Sequence, residues 1–230
     1  MAEVKHAAPK QETPVAVERA QDFWSQYKKP IIIGLGALIL VLAGWFGYKN
    51  FVVEPNNVKA NEAMFKAEEY MKNDSLRLAV NGDGRNMGLA RVADKYGNTK
   101  AGNRAKLLAG AAYLRLEDYK NAEKYLKGVD LGSEMAQARA YKLLADAYAA
   151  QGKNKEAFEY YKKAGNHFEG DDVYSPEYLY LAAQFAHKVL NNNNEAIELY
   201  KKIKTKYPNS GPGFEADKYL AQLGVYKVED

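Results

Sequence analysis

The longest apolar stretch of the chain runs from Ile31 to Tyr48, IIIGLGALILVLAGWFGY, and contains no charged residue and no proline. A helix of about 18 residues rises about 27 Å, which is close to the thickness of the hydrocarbon core of a bilayer. A buried helix of a globular domain would usually carry polar residues on one face, and this stretch has none. Aromatic residues flank it on both sides, where their rings prefer the membrane interface. The pattern predicts a transmembrane helix over residues 30–51.

A cleaved signal peptide is the main alternative interpretation of this stretch. It would place a polar segment of about 30 residues before the apolar run, and the run ends in bulky residues rather than in a small-x-small cleavage site. The helix is therefore expected to remain as an anchor. Arg19, Lys28 and Lys29 precede it, whereas Lys49 and Lys59 follow it. This basic bias predicts that the N-terminus faces the cytoplasm.

The anchor separates two segments of different character. Residues 1–17 combine charges and prolines with few apolar residues, which predicts a disordered tail. A short amphipathic helix is predicted over residues 16–27. Within the anchor, Ala43 and Gly47 form a small-xxx-small pair, which predicts a contact face for another membrane helix. The predicted organisation is a cytoplasmic tail at 1–29, a membrane helix at 30–51 and an exported domain at 52–230.

Beyond the anchor, apolar residues recur at helical spacing. They predict one helix over residues 58–71 and a second over residues 87–96. Between them, Asn81-Gly82-Asp83-Gly84 predicts a turn, because Asn-Gly and Asp-Gly pairs favour turns. The alternative is a calcium loop, which needs the ligand series D-x-[DN]-x-[DN]-G-x5-E, and that series is missing here.

The next segment is self-similar. Tyr113 and Tyr148 are 35 residues apart, as are Ala122 and Ala157, and a third copy places His187 in the tyrosine position after a step of 39 residues. Such spacing predicts units of two packed helices that stack into a solenoid, because no unit buries its apolar face alone. The predicted turns within units are Leu116–Tyr119, Gln151–Asn154 and Asn191–Asn194, and Gly165–Tyr174 is predicted to be a loop between units.

At these positions the chain resembles the tetratricopeptide repeat. The motif G/A-x2-Y, nine residues, then A-x3-F/Y-x2-A is met fully in one copy and partly in the others, and the pair over residues 58–98 is degenerate. The fully matching residues are Ala145, Tyr148, Ala157, Tyr161 and Ala164. The resemblance implies an all-α solenoid of paired antiparallel helices after the membrane helix, with Phe214–Leu223 as a C-terminal capping helix.

The same resemblance implies that the first helix of each pair lines a concave groove for an amphipathic helix or an extended segment. Counting outward from the motif gives groove-facing candidates in three units. They are Arg104, Leu107, Ala111 and Leu114, then Arg139, Lys142, Asp146 and Ala149, then Tyr178, Leu181, Phe185 and Lys188. For each of them, packing against a neighbouring unit is the alternative.

The layout of a short tail, an aromatic-flanked anchor and a repeat domain resembles the bacterial YfgM-like family of ancillary Sec translocon proteins. The segments Asn73–Ser75, Asn81–Gly84 and Tyr96–Asn103 are similar to those of its Bacteroidetes-type members. The family implies an inner-membrane protein whose repeats lie in the periplasm. It also implies two partners, the SecY-SecE-SecG channel and a membrane-anchored periplasmic chaperone of the prolyl-isomerase-like type.

Composition and motifs argue against several function classes. The formal net charge is +4, and lysine and glutamate are interspersed, without the basic stripe that nucleic-acid binding needs. Cysteine is absent, which excludes disulfides, thiolate zinc sites and a cysteine nucleophile. His6, His167 and His187 lack metal-ligand spacing, and there is neither a phosphate loop nor a nucleophile elbow. The sequence therefore predicts no enzyme, no cofactor, no metal, no small-molecule substrate and no nucleic-acid partner.

These observations lead to one main functional hypothesis and two alternatives. The main hypothesis is an inner-membrane scaffold beside the export channel that holds a chaperone or an emerging polypeptide. The first alternative is a periplasmic holdase that binds unfolded clients in the groove. The second is a regulatory tether that has no connection to the translocon.

Overall fold

The structure, a computed structural model, describes residues 15–226 of the chain. The chain divides into two compact units between Val52 and Val53. Residues 1–14, which hold most of the predicted disordered tail, lie outside the described residues.

The N-terminal unit is helix α1, Val15–Tyr48, which passes through Pro30 without interruption. A π-helical turn, Lys49–Val53, follows it. The segments predicted separately as a short amphipathic helix and a membrane helix are therefore parts of one helix.

Helix α1 has the properties of a membrane span. An 18-residue window of it has a mean hydropathy of 2.2, and none of that window is buried. A core helix of a globular domain would bury such a surface. Among residues 15–226 this is the one helix that is long and apolar enough to cross a membrane, which makes it a candidate single span.

The predicted contact pair of this helix lies on accessible surface. Ala43 is exposed and Gly47 is half-buried. A Cβ atom added to Gly47 would meet nothing within 4 Å. The pair leaves room for a second helix, and its role as a contact face stays a prediction.

The second unit is built from helices alone in its described part, apart from an isolated β-bridge between Gly82 and Met87. The helices are α2 Glu54–Lys72, α3 Leu76–Asn81, α4 Leu89–Tyr96, α5 Lys100–Arg115, α6 Tyr119–Lys127, α7 Glu134–Ala150, α8 Asn154–His167, α9 Tyr174–Lys188, α10 Asn193–Lys206 and α11 Gly211–Gln222. Helices α5 and α6, α7 and α8, and α9 and α10 form the three predicted pairs. The all-α solenoid with a C-terminal capping helix is thus confirmed.

Small residues let helices approach closely, both within a pair and between neighbouring pairs. A methyl group at Gly110 of α5 would clash with the side chain of Leu126 of α6. Gly165 of α8 lies equally close to Leu179 of α9. Because Gly165 is buried inside α8, the predicted loop Gly165–Tyr174 was too long, and the connection comprises only residues 168–173.

Helices α2 and α11 end in the same way as the first helices α5, α7 and α9, with one residue in the left-handed conformation shortly after the last helical residue. In four of the five cases, the residue after the left-handed one donates its backbone N–H to the carbonyl five residues earlier, as in a Schellman motif. The left-handed residues are Asp74 (φ 58°), Glu117 (φ 59°), Gly152 (φ 72°), Asn191 (φ 53°) and Gly224 (φ 83°). The returning bonds are Ser75 to Tyr70, Asp118 to Tyr113, Lys153 to Tyr148 and Val225 to Leu220, at 2.9–3.0 Å. Helices α2 and α11 are therefore first helices too.

Two connections between units repeat one sequence pattern, K-Y-x-N-[ST]-x-x-G, at residues 95–102 and 206–213. In the first, Thr99 Oγ1 donates to the carbonyl of Tyr96 at 2.8 Å and accepts from the N–H of Gly102 at 2.9 Å. In the second, Ser210 makes the same two bonds, to Tyr207 at 2.8 Å and from Gly213 at 3.0 Å. We call residues 97–99 and 207–210 the compact joints.

The first unit departs most from the prediction, because the short helix α3 is inserted between α2 and α4. The chain leaves the helix where a turn is predicted at Asn81–Gly84, except that Asn81 is still the last residue of α3. The Asp83 carboxylate accepts bonds from the N–H groups of Arg85 at 2.9 Å and Asn86 at 2.6 Å, from the Asn86 side chain at 2.8 Å and from the Tyr70 hydroxyl at 2.9 Å. Protein donors thus occupy the oxygen atoms that a calcium ion would need.

We expect Asp83→Asn to loosen this turn and to lower the melting temperature at pH 7. The bonds from Asn86 and Tyr70 hold the pKa of the Asp83 carboxyl well below its usual range. A lowered pKa means that the stabilisation is present above the ordinary aspartate pKa of about 3.9 and is lost as the pH falls further. Thermal unfolding by circular dichroism between pH 7 and pH 2 should show a smaller acid-induced decrease for the variant. Asp172→Asn, in an exposed loop, is the control, and an unchanged pH profile of Asp83→Asn would contradict the prediction.

Candidate functional site

Two adjoining pockets lie along the first helices of three consecutive units. The first has a volume of about 670 Å³ and is lined by Lys100, Arg104, Leu107, Leu108, Asp130, Leu131, Gly132, Ser133 and Ala136. The second has a volume of about 460 Å³ and is lined by Leu107, Ser133, Met135, Ala136, Arg139, Tyr174 and Tyr178. Because Leu107, Ser133 and Ala136 line both, the pockets form one depression, which we call the α5–α7–α9 groove.

Four of the residues predicted to face a groove meet here. Arg104 and Leu107 come from α5, Arg139 from α7 and Tyr178 from α9. They occupy the N-terminal halves of their helices, so the pockets lie toward that end of each first helix.

The other predicted residues lie outside these pockets, further along the same helices. Leu114, Ala149, Leu181 and Phe185 pack against the buried core, Ala111 is half-buried and Lys188 is exposed. The four that pack against the core make the contacts expected from the alternative, in which such residues pack against neighbouring units.

Lys142 and Asp146 form a polar network rather than part of a pocket. The Lys142 ammonium and the Tyr161 hydroxyl each donate to the Asp146 carboxylate at 2.8 Å. The ring of Tyr161 lies 5.6 Å from that of Phe185. Burial, followed by the charge of Asp146, raises the pKa of Tyr161. The network joins α7 to α8 and occupies both oxygen atoms of Asp146.

The connections between units contribute to the groove in a way that the repeat motif does not predict. Residues 128–133 and 168–173, which we call the long joints, supply or adjoin much of the lining. The tetratricopeptide motif fixes positions inside helices, and it assigns none to a joint. The one usable signal was Val173-Tyr174, an apolar pair within a polar stretch.

Side chains hold the long joints in place. In the first, the buried Gln137 accepts from the N–H of Leu131 at 2.8 Å and donates to the carbonyl of Val129 at 3.3 Å. Lys106 donates to the carbonyl of Gly128 at 3.0 Å. The groove wall is therefore formed by a loop whose backbone is tied to both neighbouring helices.

The second long joint is held in the same manner. The Asp171 carboxylate accepts from the N–H groups of Val173 and Tyr174 at 2.9 Å, which fixes the turn that leads into α9. Glu169 pairs with Lys202 and Lys206 of α10, and these bonds lower the pKa of Glu169 to about 2. Tyr174 is thus presented at a fixed place on the rim of the groove.

Positive charge predominates among the ionised groups of the lining. Arg104 is paired with Glu68 of α2. Among residues 15–226, Lys100 and Arg139 make no ion pair. Arg139 and Tyr178 line the same pocket. Burial raises the pKa of Tyr178, and the charge of Arg139 opposes that shift.

The described residues contain no group of three or more His, Cys, Asp or Glu side chains that could hold a metal ion. The groove itself offers apolar walls, aromatic rings and the cations Lys100 and Arg139. Such a lining is suited to holding a polypeptide segment.

Comparison with known proteins assigns the family. A search of curated proteins finds no match to this chain. A family model described as a tetratricopeptide repeat-like domain matches residues 21–145, more than half of the 230 residues. The match includes the degenerate first unit and ends within α7. Domains of this kind are in general protein-interaction modules rather than enzymes. The chain therefore belongs to the tetratricopeptide repeat-like domain family.

Proposed function

We propose that this protein is a membrane-anchored scaffold that holds a segment of a partner protein in the α5–α7–α9 groove. The observation that carries the proposal is the groove itself. Three consecutive first helices and the joint at residues 128–133 form it in the absence of any partner. Preformed pockets lower the ordering cost of binding. The fold supplies the rigid surface, and α1 supplies the attachment.

The proposed location is the bacterial inner membrane, with the N-terminus in the cytoplasm and the repeat domain in the periplasm. Arg19, Lys28 and Lys29 before the apolar stretch, against Lys49 and Lys59 after it, support this orientation. The accessible pair Ala43 and Gly47 offers a surface for a neighbouring membrane helix.

The proposed partners are a SecY-SecE-SecG-type translocon at the anchor and a membrane-anchored, prolyl-isomerase-like periplasmic chaperone or an emerging polypeptide at the groove. What supports them is the resemblance of the layout to ancillary translocon proteins. A scaffold with one attachment in the bilayer and one in the groove would keep the two partners close together.

Photo-crosslinking in living cells tests both attachments. A photoreactive amino acid at Leu107 should yield adducts with a chaperone or an exported polypeptide, and one at Ala43 should yield adducts with a channel subunit, each identified by mass spectrometry. Lys155, an exposed residue at the start of α8, is the control position. Adducts at Leu107 no stronger than at Lys155 would overturn the scaffold, and adducts at Ala43 without channel subunits would favour a tether unrelated to the translocon.

A holdase is the second candidate, and an exposed apolar surface favours it. Met135, Val173 and Tyr174 are 49%, 65% and 47% exposed beside the groove. Exposed apolar surface of this kind is a feature of sites that bind other proteins. The full chain in a non-ionic detergent should then suppress aggregation of a denatured client at molar excess, whereas a scaffold for folded partners would not.

A further inference from the structure

The second pocket of the groove combines one cation with an apolar lining. Arg139 is the single charged residue among the residues that line it. Its neighbours there include Leu107, Met135 and Tyr178. A guanidinium with no carboxylate partner among residues 15–226 can still bind an incoming carboxylate through two parallel hydrogen bonds.

The apolar lining continues outward as an accessible rim. Tyr174 and Tyr178 stack with ring centroids 6.1 Å apart and an interplanar angle of 24°. Met135 lines the same pocket as this aromatic pair, Val173 directly precedes Tyr174 in the chain, and both side chains are exposed. Tyr, Met and Arg are the residue types enriched where proteins bind one another.

The first pocket also has positively charged side chains in its lining, Lys100 and Arg104. Lys100 forms no ion pair within the described residues, whereas Arg104 forms an ion pair with Glu68. The one carboxylate in this lining is Asp130. Across both pockets, Lys100 and Arg139 are therefore the cations without an ion-pair partner among residues 15–226, and Asp130 is the one carboxylate of the lining.

From this arrangement we propose that the segment held by the groove is acidic and carries a large apolar or aromatic anchor. The anchor enters between Leu107, Met135 and Tyr178, and a neighbouring carboxylate pairs with Arg139. A second carboxylate, further along the segment, reaches Lys100. The proposal rests on the proposed function, since it names the chemistry of the partner that the scaffold holds.

Three fluorescent peptides of equal length test the proposal by anisotropy, with the full chain in a non-ionic detergent. The first alternates Glu with Phe and Leu, the second has Lys in place of Glu, and the third has Ser in place of Phe and Leu. The first should bind at least about tenfold tighter than either of the others, a difference of about 1.4 kcal/mol. Its affinity should fall as salt is added, because the contacts with Arg139 and Lys100 are exposed.

A charge reversal separates the electrostatic contact from the apolar one. Arg139→Glu should weaken the acidic peptide about tenfold or more and strengthen the basic peptide. Tyr174→Ala should weaken the acidic peptide but leave the anchorless one unchanged. Lys155→Glu makes the same charge change on the exposed surface of α8 and should alter neither affinity. Melting temperatures equal to that of the wild type would show that the variants are folded.

Each alternative outcome is decisive. Equal binding of the acidic and basic peptides, or an acidic peptide unaffected by Arg139→Glu, would overturn the proposed partner chemistry. If crosslinks at Leu107 still form, the scaffold stands and only the charge preference is wrong. Failure of all three peptides to bind would also overturn this inference, while the crosslinks decide the scaffold separately.

Discussion

Gly102→Ala is expected to lower the melting temperature of the repeat domain by roughly 6–12 °C. A methyl group at this buried position of α5 would clash with the backbone carbonyl of Tyr96 and would lie 2.8 Å from the N atom of Gly97. These are backbone atoms at the end of α4 and the start of a compact joint, and the Thr99 hydroxyl bonds to both Tyr96 and Gly102. Overpacking that cannot relax costs about 3 kcal/mol, and a domain of this size loses about 2–4 °C per kcal/mol.

Thermal unfolding of the full chain in a non-ionic detergent, followed by circular dichroism, measures this effect. Gly128→Ala is the matched control, because its Cβ would lie 3.8 Å from the nearest atom, in the side chain of Lys106. Gly213→Ala, at the second compact joint, should behave like Gly102→Ala. A melting temperature of Gly102→Ala close to that of Gly128→Ala would show that the joint can yield.

Tyr200 is expected to respond with opposite signs to two substitutions. Its side chain is fully buried, with its ring 5.2 Å from that of Tyr219 and 6.2 Å from that of Tyr180. Its hydroxyl has no hydrogen-bond partner within the described part of the chain. Tyr200→Ala removes the ring and should cost about 3–5 kcal/mol. Tyr200→Phe removes only the unsatisfied hydroxyl and should stabilise by about 1 kcal/mol.

Alkaline pH gives an independent measure of the same hydroxyl. Burial raises the pKa of Tyr200. Because the pKa is raised in the folded state, the free energy of unfolding is unaffected by this group below the ordinary tyrosine pKa of about 10. It decreases as the pH rises above that value, since the unfolded chain then loses the proton more readily. Tyr200→Phe should therefore retain more of its stability than the wild type above pH 10.

Tyr219→Phe is the control for both measurements. The Tyr180 hydroxyl donates to the Tyr219 hydroxyl at 2.6 Å, so this change breaks a bond that exists and should destabilise. If Tyr200→Phe also destabilises, the Tyr200 hydroxyl has a partner after all.

The repeats from α5 to α10 could be predicted because their packing depends on small and aromatic residues at fixed spacing. Gly110 and Ala145 mark where a second helix lies close, and a 35-residue step locates the next copy. The first unit was harder to predict because α3 lengthens it. Ala67-Glu68-Glu69-Tyr70 does fit the A-x2-Y part of the motif and would have identified α2 as a first helix.

The groove could be predicted only in part, for a physical reason. Arg104, Leu107, Arg139 and Tyr178 lie at positions that a helix period can locate. Met135 and Lys100 belong to the starts of helices, and Leu131 belongs to a joint whose path depends on Gln137. Tertiary hydrogen bonds decide where such residues lie, and no local spacing encodes them.

The contrast between compact and long joints has an evolutionary consequence. The compact joints, at residues 97–99 and 207–210, set how adjacent units are stacked, and their backbone leaves no room for an added methyl group. The long joints, at residues 128–133 and 168–173, border the pockets and are held by side chains rather than by close backbone contact. Residues inserted or exchanged in the long joints would reshape what the groove accepts while the stack kept its geometry. Relatives that serve different clients should therefore diverge first in these two loops.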